Sequence, residues 1–238
     1  LVETVDDFGL RTKPPTQQPL LDHLAADFMQ NSWSFRHLHR LIVTSKAYQL
    51  RSTTAGADPE TQAADPNNQF YWRMNARRME AQVVRDSLLH LAGVLDLSQG
   101  GPSLDPGDSV RRRSLYFKHS RDQQDKFLKT FDDADHLQCY RRPESVAPQQ
   151  ALALSNGKVP IEMAGKIAGL VKSKDFVGGV FELLLGRKPD DAERRECETA
   201  LTDLEAAATK AKKANPAQRA RRGLVHALLN HNDFVSIR

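Results

Sequence analysis

The hydrophobic positions of this chain recur mostly at helical spacing. Leu20, Leu21, Leu24, Ala25 and Phe28 share one face of a helix that Thr16 can cap and Asn31 can stop. Ser34 opens a second helix, with Phe35, Leu38, Leu41, Ile42 and Ser45 on one side, so the pair predicts a helical hairpin. Residues 52–69, rich in Thr, Ala, Asp, Asn and Pro, read as a surface loop. The strongest period lies in 76–96, where Val84, Leu88, Leu91 and Leu95 repeat at four, three and four. Gly100-Gly101-Pro102 and Asp105-Pro106-Gly107 then break the chain, and Ser114-Leu115-Tyr116-Phe117 reads as a strand. Residues 119–147 are irregular and polar.

Helices resume at Pro148, which suits the first position of a helix running through Leu154. Two more are predicted over 160–171 and 176–185, the second ended by Gly186 and Pro189. An Ala- and Glu-rich helix starts at Asp190 or Asp191 and runs to about Ala214. Asn215-Pro216 separates it from a last helix, through Asn230, with Ala220, Leu224, Ala227 and Leu228 in line. The predicted class is mainly α: an irregular helical domain with at most a short two-stranded β element near 111–118. Residues 1–238 are read as a single helical domain. A subdomain boundary is admissible near 157, dividing helices plus the irregular polar segment (1–157) from a helical bundle (158–238).

Composition narrows the field only slightly. Hydrophobic residues at 39% and charged residues at 27% suit a packed soluble protein and argue against disorder. The net charge of +4 is a small difference between 34 cationic and 30 anionic residues, so it says little about an acidic partner. No apolar run reaches the ~18 residues of a membrane helix. Cys139 and Cys197 stand in no zinc or haem-attachment spacing. The sequence contains no G-x-G-x-x-G, Walker, G-x-S-x-G or H-E-x-x-H motif, which leaves nucleotide, serine-hydrolase and zincin readings without support.

Three polar groups are candidates for chemistry. On the 76–96 helix, Arg77 and Glu80 lead the stripe of Val84, Leu88, Leu91 and Leu95. Charges on a core-facing stripe are costly unless paired or used, and a spacing of three lets these two pair. They read either as an ion pair locking the helix to 119–147, or as an acid or anion clamp at the mouth of a cleft. Arg78 and Arg85 fall on another face with Gln82, and Asp86 lies nearly opposite the apolar stripe.

The second group is Asp132, Asp133, Asp135 and His136, with Cys139 close behind. Asp132, Asp135 and His136 are the metal-ligand candidates, since carboxylates and imidazole bind divalent cations. Their spacing matches no EF-hand loop, and Asp also stabilises turns through its own backbone. The third group is Arg141-Arg142, just before the Pro148 helix, where two guanidinium groups suit a carboxylate, sulfate or phosphate. Asp132 or Glu80 would serve equally as their internal acceptor. Ser45 and Ser145 have no base beside them in the sequence. The runs Arg111–Arg113 and Arg219, Arg221, Arg222 lack an aromatic platform or nucleic-acid motif and read as solvated faces.

Several segments taken in order carry a family resemblance. They begin with Asp7-Phe8-Gly9-Leu10-Arg11 and Pro14-Pro15-Thr16, then His37-Leu38-His39-Arg40-Leu41-Ile42-Val43-Thr44-Ser45 with Tyr48. Arg73-Met74-Asn75, Arg77-Arg78-Met79-Glu80-Ala81, Arg85-Asp86-Ser87-Leu88 and Gly100-Gly101-Pro102 follow. Arg112-Arg113-Ser114-Leu115-Tyr116, Phe131-Asp132 with Asp135, Arg141-Arg142 and Pro148-Gln149-Gln150-Ala151-Leu152 continue it. Leu185-Gly186-Arg187 and Leu229-Asn230 with Phe234 complete it. Together these resemble the planctomycete-type PSD domain, a family of unknown function found at the C-terminus of large proteins that also carry cytochrome c-like modules.

The resemblance implies an exported, periplasmic or cell-surface protein with a signal and further domains upstream, and a chain that starts inside the domain. It supplies no reaction. Its polar motifs coincide with Arg77, Glu80, Asp132, Arg141 and Arg142. Family members commonly carry Thr where this chain has Ala147, which removes a helix cap worth ~1 kcal/mol. The leading expectation is a non-catalytic docking module with no cofactor in this segment. Its partners would be upstream domains of the same protein or other proteins, with no nucleic acid and no membrane span. The alternative is a hydrolase or anion-binding domain acting on a polysaccharide, with Glu80 and Asp132 as acid and base and Arg77, Arg141 and Arg142 holding the substrate.

Overall fold

The computed structural model describes residues 1–2, 12–135, 137, 145 and 148–237. Arg141, Arg142, His136, Cys139 and Ala147 lie outside them. The chain is mainly α, as its periodicity predicts. It divides into two compact units, one of Leu1–Arg77 with Ile237–Arg238 and the other of Arg78–Ser236; residue 157 falls inside the second.

The first unit contains α1 (Gln18–Gln30), α2 (Phe35–Val43) and a short α3 (Pro59–Ala64). Thr16 does not cap α1. The helix starts at Gln18 with Pro in its first turn, and the Thr16 hydroxyl instead meets Gln69 at 3.4 Å. Between α1 and α2 the chain reverses through two left-handed residues, Ser32 and Trp33, with φ of 57° and 58°. Ser34 caps α2 by accepting from the His37 amide, and the His37 ring meets Asp27 at 2.8 Å across the hairpin. α3 lies inside the expected loop and is capped by Asp58, which accepts from the Glu60 and Thr61 amides. Buried Asp65 and Asn68 then tie a polar knot. Asp65 takes the amides of Gln69 and Phe70, both at 2.8 Å, while Asn68 binds the backbone of Arg73 on both sides of its amide group.

The second unit holds α4 (Ala81–Leu91), α5 (Lys126–Thr130), α6 (Pro148–Asn156), α7 (Lys158–Leu170), α8 (Phe176–Leu185), α9 (Asp191–Lys210) and α10 (Pro216–Leu229). α10 packs on α7 and α9, and α4 on α5 and α7. Their shared core is apolar and fully buried, with Val84, Leu88, Leu89, Met163, Ile167, Val180, Phe181, Val225, Leu229 and Phe234 at its centre. Burial at this scale is the main favourable term in the fold. α6 and α7 are joined by Gly157 alone, and a Cβ there would collide with the carbonyl oxygen of Ala153.

Two expectations need correction. The helix predicted over 76–96 begins only at Ala81. Arg77–Arg78 instead form a strand (β1) paired with Ser236–Ile237 (β2), and the Met79 amide donates to Val235 O at 2.8 Å. A backbone amide used in a ladder cannot also serve a helix. Arg77 therefore leads no helical stripe. The buried face of α4 is Ala81, Val84, Arg85, Leu88 and Leu89, so Arg85 stands on the core side with the apolar stripe and not on a separate face with Gln82. Likewise 111–118 is not a two-stranded element. Ser114–Tyr116 is a single 3₁₀ turn between isolated bridges, Asp96 with Arg112 and Leu104 with Phe117.

A clamp joins α8, α9 and the C-terminal turn. Gly186 ends α8 in a left-handed conformation (φ 66°), and Asp190 and Glu193 form a reciprocal capping box on α9. Between them Arg187 lies over the Phe181 ring, bonds both Glu193 oxygens at 2.6 and 2.7 Å, and bonds Asp233 at 2.9 Å. The Arg187 guanidinium holds the Glu193 carboxyl down to about 2. Since that lies below the ordinary 4.5, the pair's stabilisation is complete above about pH 4.5 and is lost as pH falls toward 2. Arg187→Ala should cost about 2 kcal/mol in urea unfolding at pH 7, less than the ~3–5 kcal/mol of a fully buried pair because Arg187 is 36% exposed. The gap to wild type should narrow between pH 5 and pH 2. A gap unchanged across that range would assign the effect to packing on Phe181 instead of charge.

Candidate functional site

α4 turns its buried stripe to the core and presents Gln82, Val83, Asp86, Ser87 and His90 to an open cleft of about 590 Å³. The opposite walls are Arg113–Leu115, Phe117–His119 and parts of 123–134, including Asp125, Leu128 and Asp133. Apolar Val83, Leu95, Leu115, Phe117 and Leu128 therefore alternate with carboxylate, amide and imidazole groups around one concave surface.

The cleft exists because Arg85 and Asp86 grip the 110–117 segment. Arg85 is 3% exposed. Its guanidinium donates to Val110 O at 2.6 Å, Arg112 O at 3.2 Å and Ser114 Oγ at 3.1 Å, and stacks 4.4 Å from the Phe117 ring centre. Asp86 accepts the Ser114 amide at 2.9 Å and its hydroxyl at 2.7 Å. Burial pulls the Arg85 pKa below its ordinary value, and neighbouring Asp86 opposes that. Five planar donors let one side chain serve several acceptors whose own segment has no ladder partner. On α7, Glu162 adds a bidentate contact to Arg111 at 2.9 and 3.1 Å.

The other cleft carboxylates also have structural work. Asp125 caps α5 through the Leu128 amide at 2.9 Å. Asp133 receives a short hydrogen bond from Gln82 of α4, accepts the Ala134 amide at 2.8 Å and lies 3.8 Å from His119 Nε2.

Of the residues singled out in the sequence, Glu80 lines this cleft as the residue just before α4. Asp132 turns elsewhere. Its backbone is left-handed (φ 59°), and its carboxylate accepts the Ser145 amide and hydroxyl at 2.8 Å and Gln150 Nε2 at 3.3 Å. Buried Gln150 in turn accepts from Arg78 at 3.0 Å, and Arg78 also reaches Asn232 at 3.2 Å. Ser145, with no base near it in the sequence, thus meets a carboxylate in space. Arg77 is exposed and belongs to the first unit, whereas Glu80 and Asp132 belong to the second. Asp135 accepts the Leu137 amide at 2.7 Å as a local turn. Among the described residues no three His, Cys, Asp or Glu side chains converge as a metal cluster, and no helix is long and apolar enough to cross a membrane.

Gln82, Asp86, His90, His119 and Asp133 are cleft residues that spacing did not single out as a set. They come from three segments, and only the Arg85-Asp86-Ser87-Leu88 motif carried a signal of that grouping.

The model of PSD1, a protein of unknown function (DUF1553), matches residues 1–201. No curated protein and no solved structure matches the chain.

Arg85→Met keeps length and apolar bulk but removes the donors. It should lower stability by about 3 kcal/mol, the cost of stranding buried acceptors. Hydrogen exchange should lose protection first at the Ser114 and Phe117 amides, while α10 amides keep theirs relative to the new global stability. Uniform loss across both regions would show that Arg85 supports the whole unit, not the cleft wall.

Proposed function

The chain belongs to the PSD1 family of proteins of unknown function (DUF1553), and from that premise we propose that it is a non-catalytic helical docking module of a larger exported protein. The observation that carries this reading is the use to which the cleft's carboxylates are put. Asp86 holds the Ser114 segment, Asp125 caps α5, and Asp133 accepts from Gln82 of α4. Asp132, the partner sought for Glu80, holds Ser145 and Gln150. An acid or base needs a proton that can leave and return at its working pH, and a carboxylate that fixes backbone amides is poorly suited to that exchange. Fixed acceptors beside exposed Val83 and Leu115 instead suit recognition, in which an apolar contact supplies affinity and placed polar groups supply specificity. The partners on this reading are upstream domains of the same protein or separate exported proteins.

The alternative keeps an observation of its own, since Glu80 faces the cleft. A hydrolase or anion-binding domain for a polysaccharide would hold its acid there.

Both readings are open to direct test. Titrating the isotopically labelled chain with the other domains of its full-length protein should shift the amides of Val83, Ser87, Leu115 and Gln123. Val83→Glu and Leu115→Glu, each at an exposed position, should weaken that binding tenfold or more, about 1.4 kcal/mol, with an unchanged melting temperature. Shifts confined to other surfaces would remove the cleft from the docking role. If turnover of a polysaccharide is found and Glu80→Gln abolishes it, the enzyme reading replaces the docking one.

A further inference from the structure

A second surface, in the first unit, has a different character. Between Asp27 and Asp58 the sequence contains no acidic residue, yet it carries Arg36, Arg40, Lys46 and Arg51. The same stretch exposes large apolar side chains. Trp33 is 62% exposed, Phe35 67% and Val43 46%, and Met29 and Ile42 are exposed as well. At ~100° per residue, Phe35, His39, Ile42 and Val43 fall within an arc of about 100° on α2, and Arg36 and Arg40 border it. The opposite side of α2, with Leu38 and Leu41, is partly buried.

The exposed aromatics are held in place. The Phe28 ring sits 5.4 Å from Trp33, edge to face, and 5.0 Å from Phe35. The Trp33 amide donates to Phe28 O at 2.9 Å, and the Ser34 cap fixes the start of α2. A rigid apolar patch of this kind, left facing water, marks an interaction site.

Its chemistry selects the partner. Cations border the apolar arc and no carboxylate interrupts the stretch, so the complementary surface is anionic. Aliphatic Ile42 and Val43 share the exposed arc of α2 with Phe35, whereas a nucleic acid would use the aromatic faces and leave the aliphatic ones unmatched. An apolar and aromatic helix face bordered by Arg is what a helix lying in a headgroup layer presents. We propose that α2 and the turn preceding it form an interfacial anchor for an anionic bilayer surface. Trp33, Phe35, Ile42 and Val43 would enter the boundary between headgroups and acyl chains, and Arg36 and Arg40 would meet the lipid phosphates. The chain rests on the membrane in this arrangement and does not cross it.

Co-sedimentation of the whole chain with vesicles of phosphatidylcholine alone, or with 30% phosphatidylglycerol, tests the proposal. Binding is expected to the anionic vesicles only, to fall at least tenfold in 0.5 M salt, and to shift tryptophan emission to the blue. Trp33→Phe should remove that shift, and Trp72→Phe should retain it. Arg36→Gln with Arg40→Gln should weaken anionic-vesicle binding about tenfold. Phe35→Glu should abolish binding, and Val43→Glu, outside the aromatic cluster, should weaken it tenfold with the helical circular dichroism intact. The proposal is overturned if the wild-type chain fails to sediment with anionic vesicles. It is equally overturned if folded Val43→Glu binds as wild type does, or if the patch binds an acidic peptide or single-stranded RNA while ignoring vesicles.

Discussion

A single buried guanidinium organises the wall on which the candidate site is built. The stretch 110–117 has no continuous sheet partner, so some of its carbonyls need donors from elsewhere, and Arg85 provides them to Val110 O and Arg112 O while also donating to the Ser114 hydroxyl. Asp86, one residue along the helix, takes the amide and hydroxyl of Ser114. Consecutive side chains on a helix diverge by ~100°, so the two residues hold the segment from adjacent directions. What hangs on this grip extends beyond the cleft. Leu104 bridges to Phe117 and Asp96 to Arg112, so the Gly- and Pro-rich stretch between them takes its position from a segment that is itself held by α4. Removing the charge would therefore loosen the 110–117 segment together with the stretch bridged to it.

The helices that were legible in the sequence owe it to local signals. α8 shows an apolar run closed by Gly186, α9 opens with a capping box, and α10 follows Asn215-Pro216. None of these depends on a distant residue. The start of α4 was illegible for the opposite reason. Periodicity reports on side chains, but the amide of Met79 is taken by Val235, more than 150 residues away, and nothing near Arg77 announces that. Arg85 reads in the sequence as lying with Gln82 on a face away from the apolar stripe, yet it is buried. Its spacing from Ala81, Leu88 and Leu89 already put it on the buried face. The apparent strand at Ser114–Phe117 has real extended flanks, but capture of the Ser114 amide and hydroxyl by Asp86 bends the chain between them into a turn.

The polar site was legible only in part. Glu80 does face a cleft. The acidic cluster at 132–135 was visible as a cluster, but its division of labour was not. A left-handed residue at Asp132 sends two neighbouring carboxylates to different places, Asp132 to Ser145 and Gln150, and Asp133 to Gln82. Backbone handedness at a non-glycine residue leaves little trace in composition or spacing. The exposed apolar patch of the first unit is a different case. Its lack of acidic residues is plain in the sequence, whereas the exposure of Trp33 and Phe35 is not, because an apolar face that meets water looks the same on paper as one that meets a core.

The connection at Gly157 leaves little freedom to the sequence. One residue separates α6 from α7, and a Cβ there would meet the carbonyl oxygen of Ala153. α6 carries Gln150, tied to Asp132 and Arg78; α7 carries Glu162, tied to Arg111. Any larger residue at 157 has to displace backbone at the joint, and the helices on either side of that joint each hold one of these polar ties.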